Sequence, residues 1–267
     1  MLLPVRRLPA LVVCAALVGA VACGDDDTAD ATADAADGTT TDLAGTITVF
    51  AASSLTDAFE EAAEAFEQAY PDVTVELNVA GSSALREQIL AGAPADVFAA
   101  ANPSNMDQVA EAGEVDGDAE VLVHNSLEIV VAAGNPGGVE GLEDFADDSL
   151  LIGLCAIEVP CGDFGREVLA DAGVTPAPDT EEPDVRSLLT KVASGDLDAG
   201  LVYATDVESA GDAVEGIAIP DDVNVVADYP IAALAGAGKP EIAAAFVDYL
   251  LSDDGQAILT SYGFAPA

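Results

Sequence analysis

The chain has 267 residues, of which 51% are hydrophobic, and carries 49 acidic against 7 basic residues, for a formal net charge of −42. Phosphate contacts need clustered Lys and Arg, so nucleic acid is excluded as a partner. Four cysteines and one histidine without ligand spacing exclude a zinc site as well.

The first residues read as an address. Arg6 and Arg7 precede an apolar run from Leu8 to Ala22, too short and wrongly flanked for a spanning helix but suited to a secretory signal that is removed, residues 1–22. The run closes on Ala20-Val21-Ala22-Cys23, the pattern of a bacterial lipoprotein signal, which makes Cys23 the lipidated first residue. Ala20 stands where such signals more often carry Leu, and ordinary cleavage nearby is the alternative. Cys14 lies inside the signal and drops out. Residues 23–44 hold seven Asp and no aromatic, too little apolar surface to offset ordering entropy, and read as a disordered acidic tether. These features predict an extracytoplasmic protein held on the outer face of the cell membrane.

The body, residues 45–267, opens with a buried strand at Ile47–Phe50, a serine turn at Ala51–Ser54 and a helix from Leu55 to Tyr70 with apolar positions Leu55, Ala58, Phe59, Ala62 and Phe66. A second unit of the same kind follows, in which a strand near Asn78 runs into Gly81-Ser82-Ser83 and an amphipathic helix. The N–H groups at a helix start lack intrahelical partners and carry the positive end of the dipole, so two strand–serine–helix units predict one oxyanion site built on Ser54 and Ser82. The bland alternative is that both serines are N-caps, worth about 1 kcal/mol each.

Further on, the pattern predicts strands at Asp96–Ala100, Val121–Ala132, Leu150–Leu154 and Ala199–Tyr203, with an extended stretch over Val223–Leu234. Helices are expected at Met106–Ala112, Gly165–Ala172, Asp184–Ser194, Glu241–Leu251 and Asp254–Tyr262. Alternating strands and helices argue for an α/β fold with a parallel-rich sheet covered on both faces. The length fits two such lobes joined by two crossings, at His124–Ser126 and within Val225–Tyr229. The C-terminal helices then return to the first lobe, giving lobe 1 as 45–124 with 229–267 and lobe 2 as 125–228. The acidic surface fits either a salt-rich habitat or plain solubility, and its field slows an arriving anion only within a Debye length of about 8 Å.

The strings Ile47-Thr-Val-Phe-Ala-Ala-Ser-Ser-Leu55, Gly92-Ala-Pro-Ala-Asp-Val-Phe98, Asn125-Ser-Leu127, Val159-Pro-Cys-Gly162, Asp184-Val-Arg186, Ala199-Gly-Leu-Val-Tyr203 and Tyr262-Gly-Phe264 occur in this order. In them the chain resembles the periplasmic molybdate-binding proteins, type II solute receptors of molybdate/tungstate ABC importers. The resemblance implies two mixed sheets flanked by helices with a two-crossover hinge. It also implies a ligand set: backbone N–H and hydroxyl of Ser54 and Ser82, the N–H of Cys161, the N–H of Val185 and the hydroxyl of Tyr203. Cys161 departs from the family, which commonly has Ala there, but a backbone contact tolerates the change. Implied partners are the oxyanion, the membrane permease and its ATPase, with a monomeric receptor that needs no cofactor.

Other residues receive duller readings. Tyr203 has the alternative of ordinary core, Arg186 is expected to pair with an acidic neighbour, and His124 is expected to be structural. Export and two leftover cysteines predict a Cys155–Cys161 disulfide, with free thiols as the alternative. No spacing marks an acid/base pair, and no P-loop or dinucleotide fingerprint occurs, so the chain is read as a non-enzyme. A receptor for another oxyanion or a small organic anion, and an enzyme or sensor domain on this fold, are the competing functions.

Overall fold

The computed structural model describes residues 43–267. The signal peptide, Cys23 and the tether up to residue 42 lie outside them; of the tether's last two residues, Leu43 packs against the core.

The first lobe begins with β1 (Gly45–Ala52), whose last four residues are buried, and a 3-10 turn at Ser53–Leu55 leads into α1 (Thr56–Ala69). β2 (Val73–Ala80), α2 (Ser82–Leu90), β3 (Val97–Ala99) and α3 (Pro103–Glu111) follow. β4 (Glu120–Ala132) then crosses into the second lobe. That lobe holds β5 (Ile152–Cys155), α4 (Pro160–Asp171), β6 (Thr180–Glu182), α5 (Val185–Ala193), β7 (Ala199–Tyr203), α6 (Ala204–Ala210) and β8 (Val214–Ala218). β9 (Val226–Ala233), α7 (Pro240–Leu251), α8 (Asp253–Ser261) and β10 (Ala265–Pro266) close the chain on the first lobe.

Strands run in the order β2-β1-β3-β9-β4-β7-β5-β6, with β8 and β10 also paired to β4. The sheet is mixed, as the resemblance implies, where the alternation of strands and helices alone argued for a parallel-rich one. β1–β2, β1–β3, β5–β6 and β5–β7 are parallel, and each antiparallel ladder contains β4 or β9, the strands that carry the chain between lobes. A strand that enters a sheet from the neighbouring lobe arrives without a crossover helix, and so pairs antiparallel.

β4 changes partner within its length. Asn125 and Ser126 pair with β9, whereas Leu127 to Val131 pair with β7. At that switch the Asn224 side chain accepts the Leu127 N–H at 3.3 Å and donates to its carbonyl at 2.9 Å, so the return segment is fastened to the outgoing strand.

Helices cover both faces of the first-lobe sheet, as an apolar two-sided sheet requires. On one face Phe59 and Phe66 of α1 meet Phe246 of α7 edge-on, with ring centroids 6.4 and 5.2 Å apart. On the other, Leu85 and Ile89 of α2 and Met106 and Val109 of α3 pack on Phe50 and Phe98. Each such fully buried side chain contributes about 1.5–3 kcal/mol. Asp96, in the Gly92–Phe98 string, is buried and accepts the Thr48 and Gly238 N–H groups, both at 2.7 Å, tying β1 to the loop before α7.

Four short elements went unpredicted: β6, α6, β8 and β10. Their sequences are brief or polar (Thr-Glu-Glu, Val-Glu-Gly-Ile-Ala), and pairing rather than periodicity makes β6, β8 and β10 strands, while α6 is a helix of only seven residues. α4 begins at Pro160, five residues before the expected Gly165, because proline at the first helical position gives up an N–H that would lack a partner anyway.

Candidate functional site

Ser54, Ser82, Cys161, Val185 and Tyr203 all line one small cavity between the lobes, with an empty volume of about 210 Å³ counting its mouth. Each sits at the start of a helix: Ser54 in the turn before α1, Ser82 first in α2, Cys161 second in α4, Val185 first in α5, and Tyr203 at the N-cap of α6. Five positive dipole ends converge on the cavity, and no Lys, Arg or His lines it.

Several of the site helices start without a side-chain cap, as α7 outside the site also does. α3, α5 and α8 have side-chain caps from Asn102, Asp184 and Ser252. The turn before α1, and helices α2 and α4, have Ala52, Gly81 and Val159 at the N-cap and no side-chain cap. In α4 Pro160 has no N–H, so the first free amide is that of Cys161. Even in α5 the Asp184 carboxylate is taken by the Ser187 N–H at 2.9 Å and hydroxyl at 3.0 Å, leaving the first amides of the helix without a side-chain partner.

Neither serine is an N-cap. Ser82 Oγ accepts the Ala101 N–H at 3.0 Å, which leaves its own proton free. Ser54 Oγ lies 2.9 Å from the Tyr229 hydroxyl, and the Asn125 side-chain amide donates to that hydroxyl at 3.5 Å. Tyr203 is buried, and its hydroxyl has no hydrogen-bond partner among the described residues. Burial pushes the Tyr203 and Tyr229 hydroxyls well above the ordinary tyrosine range, so both remain protonated donors at neutral pH. The cavity offers mainly donors; Asp184 also lines it, with its carboxylate bonded to Ser187.

Ser53 also lines the cavity and was missed, although its place beside Ser54 was a usable signal. Tyr229 and Asn125 stood only in the expected crossings, and their part in the site comes through tertiary contact. Among the described residues no group of three or more His, Cys, Asp or Glu side chains is placed to hold a metal ion. The loop before α4 is closed by a Cys155–Cys161 disulfide. Gly162 is needed beside it, because a Cβ there would meet the Ala156 carbonyl oxygen at 1.9 Å. His124 pairs through Nδ1 with Asp228 at 2.7 Å across the β4–β9 ladder, consistent with a structural role.

A model of the bacterial extracellular solute-binding protein family matches residues 47–265. Among curated relatives, the molybdate-binding protein ModA of Mycobacterium tuberculosis is 38% identical over 195 residues, 73% of this chain and 75% of its own. The chain thus belongs to the bacterial extracellular solute-binding proteins, in their ModA-like group. Two solved structures share the fold. The periplasmic molybdate-binding protein of Azotobacter vinelandii has a TM-score of 0.73 at 20% identity, over 83% of this chain and 99% of its own. The sulfate-binding protein SubI of M. tuberculosis has a TM-score of 0.75 at 18% identity, over 83% of this chain and 87% of its own.

Proposed function

We propose that this chain is the extracytoplasmic receptor of an ABC importer for molybdate, with tungstate as an equivalent cargo. It closes lobe 1 (45–124 and 229–267) and lobe 2 (125–228) on the oxyanion and presents it to a membrane permease driven by a separate ATPase. It acts as a monomer, performs no chemistry and needs no cofactor. A lipidated Cys23 tethers it to the outer face of the membrane; Cys23→Ala should release it into the soluble secreted fraction, and unchanged membrane fractionation would defeat the anchor.

The observation that carries the reading is a cavity of free donors with no cation. In it Ser54 and Ser82 contribute N–H and hydroxyl, Cys161 and Val185 their N–H groups, and Tyr203 its hydroxyl. Seven charge-assisted bonds at about 1.5–3 kcal/mol sum to about 10–20 kcal/mol before desolvation and closure, which supports submicromolar affinity without a salt bridge. Donors alone suit a fully deprotonated tetrahedral dianion. Protonated phosphate brings a donor to donors, an unmatched contact that costs about 1–3 kcal/mol. Sulfate has the same charge and shape, and its smaller size is the ground for excluding it.

A calorimetric and thermal-shift panel of molybdate, tungstate, sulfate and phosphate tests this. Molybdate and tungstate should bind alike and far more tightly than the others. At about 100 times its dissociation constant, molybdate should stabilise the fold by about 2.7 kcal/mol and raise the melting midpoint by about 5–10 °C. Sulfate or phosphate matching molybdate, or no shift at millimolar molybdate, would favour a receptor for another oxyanion or small organic anion, a reading that the fold shared with SubI supports.

A further inference from the structure

Arg186 is the second residue of α5, directly after the cavity-lining Val185. Its guanidinium reaches across to the first lobe, where Nη2 donates to Asp57 Oδ2 at 2.6 Å. Its Nε faces Asp206 Oδ1 of its own lobe at 3.1 Å. Asp57 lies in the first turn of α1, three residues after Ser54; Asp206 lies in the first turn of α6, three residues after Tyr203, whose N–H it accepts at 3.2 Å. One guanidinium therefore ties together three of the helix starts that line the cavity, and only its bond to Asp57 spans both lobes. Asp206 is fully buried and has no other cation near it among the described ion pairs, so Arg186 is its neighbour by charge, although neither Arg186 Nε nor Asp206 Oδ1 makes a hydrogen bond among the described residues. The lobes also meet at Gly81, where an added Cβ would stand 2.6 Å from the Pro183 carbonyl oxygen, so this is the closed arrangement.

We propose that Arg186 is the positioning residue of the closed state: seated on Asp206 in the second lobe, it latches Asp57 of the first, and thereby holds the Val185 amide and the Ser54 turn on the same ligand. The inference rests on the reading of the cavity as an anion site. The latch contributes nothing to ligand charge balance, because the guanidinium is spent on two carboxylates outside the cavity lining. Its contribution is to the lifetime of the closed complex, which places its effect in the dissociation rate.

A double-mutant cycle on the full chain tests it, with molybdate affinity and release rate as readouts beside the melting midpoint of the ligand-free protein. Asp57→Asn is the clean variant, since Asp57 is half-exposed and its loss strands no fully buried charge. It should weaken molybdate binding by about 3–10-fold through faster release, the scale of a partly buried ion pair, while the ligand-free midpoint stays within error of wild type. Adding Asp57→Asn to Arg186→Gln should produce no further loss. Wild-type affinity in Asp57→Asn, additive losses in the double variant, or an equal loss of ligand-free stability would overturn the latch. If wild type binds sulfate or phosphate in place of molybdate, the cargo assignment fails and the same cycle is run with that anion. Wild type that binds none of the three overturns both.

Discussion

Ser54 Oγ and Tyr229 Oη lie 2.9 Å apart in the buried floor of the site, joined across 175 positions of sequence. Asn125, at the point where β4 changes partner, donates to the same tyrosine oxygen. Either oxygen of the Ser54–Tyr229 pair can be the donor; when Tyr229 donates, the Ser54 proton is turned out toward the cavity. Ala101 does the same for Ser82. At Ser82 a backbone N–H fills the hydroxyl's acceptor side, and Tyr229 is placed to do the same at Ser54, which turns a donor toward the ligand.

Tyr229→Phe removes the group that orients Ser54 while leaving Ser54 in place. Anion affinity should fall by about 3–10-fold and stability by about 1 kcal/mol, the net worth of one buried hydrogen bond. Ser82→Ala, which also strands the Ala101 N–H, should weaken binding more, yet not abolish it, since the residue 82 amide remains. Titration calorimetry on both variants checks this; unchanged affinity in Tyr229→Phe would show that Ser54 needs no orienting partner.

Gly81→Ala should block closure without harming the fold. Gly81 has φ −59° and ψ 137°, a conformation open to any residue, so the backbone of the first lobe accepts alanine. The obstacle is across the cleft, where the new Cβ meets the Pro183 carbonyl at 2.6 Å. Ligand-free stability should hold, anion affinity should drop by at least about tenfold, and small-angle scattering with ligand should report a more open particle than wild type.

The Cys155–Cys161 bridge closes a loop that carries a site amide, so its removal should be felt in binding as well as stability. For so short a loop the chain-entropy model gives about 2 kcal/mol. The paired Cys155→Ala, Cys161→Ala variant should lose about that much and bind anion more weakly, because the first turn of α4 is less fixed. Intact mass after alkylation without reductant is the direct check: native protein should take up no label at either position.

Asp206 should leave a mark on the pH dependence of stability. Burial pushes its carboxyl up to about 7, against the opposing pull of Arg186 and the Tyr203 N–H, while Asp57 and Asp184 push the same way as burial. The folded value lies above the unfolded one of about 3.9, so the native state holds more protons between them. The stability linked to this group is therefore full below about pH 4 and is lost as pH rises through about 7. Denaturation midpoints at pH 5 and pH 8 should fall less in Asp206→Asn than in wild type, and an identical fall in both would remove Asp206 as the titrating group.

The amino-acid sequence by itself determined the elements that depend on local chemistry. Apolar runs such as Ile47–Phe50 and Val121–Ala132 made the strands, the periodic face of Phe59, Ala62 and Phe66 made α1, and a serine after a strand marked two helix starts with free amides. Each of these is a short-range property, set by side-chain period and by unpaired N–H groups within one turn. Resemblance then extended the site to Cys161, Val185 and Tyr203, which no local pattern singles out. The tertiary structure alone decided which hydroxyl protons are free, because that depends on Tyr229 and Ala101 arriving beside Ser54 and Ser82. It also decided the order of the strands, the partner switch at Ser126–Leu127, and the placing of Arg186 between Asp57 and Asp206. A donor's direction and an ion pair's partner are set by atoms brought within about 3 Å by folding, and residues 129 or 175 positions apart carry no mutual signal along the chain.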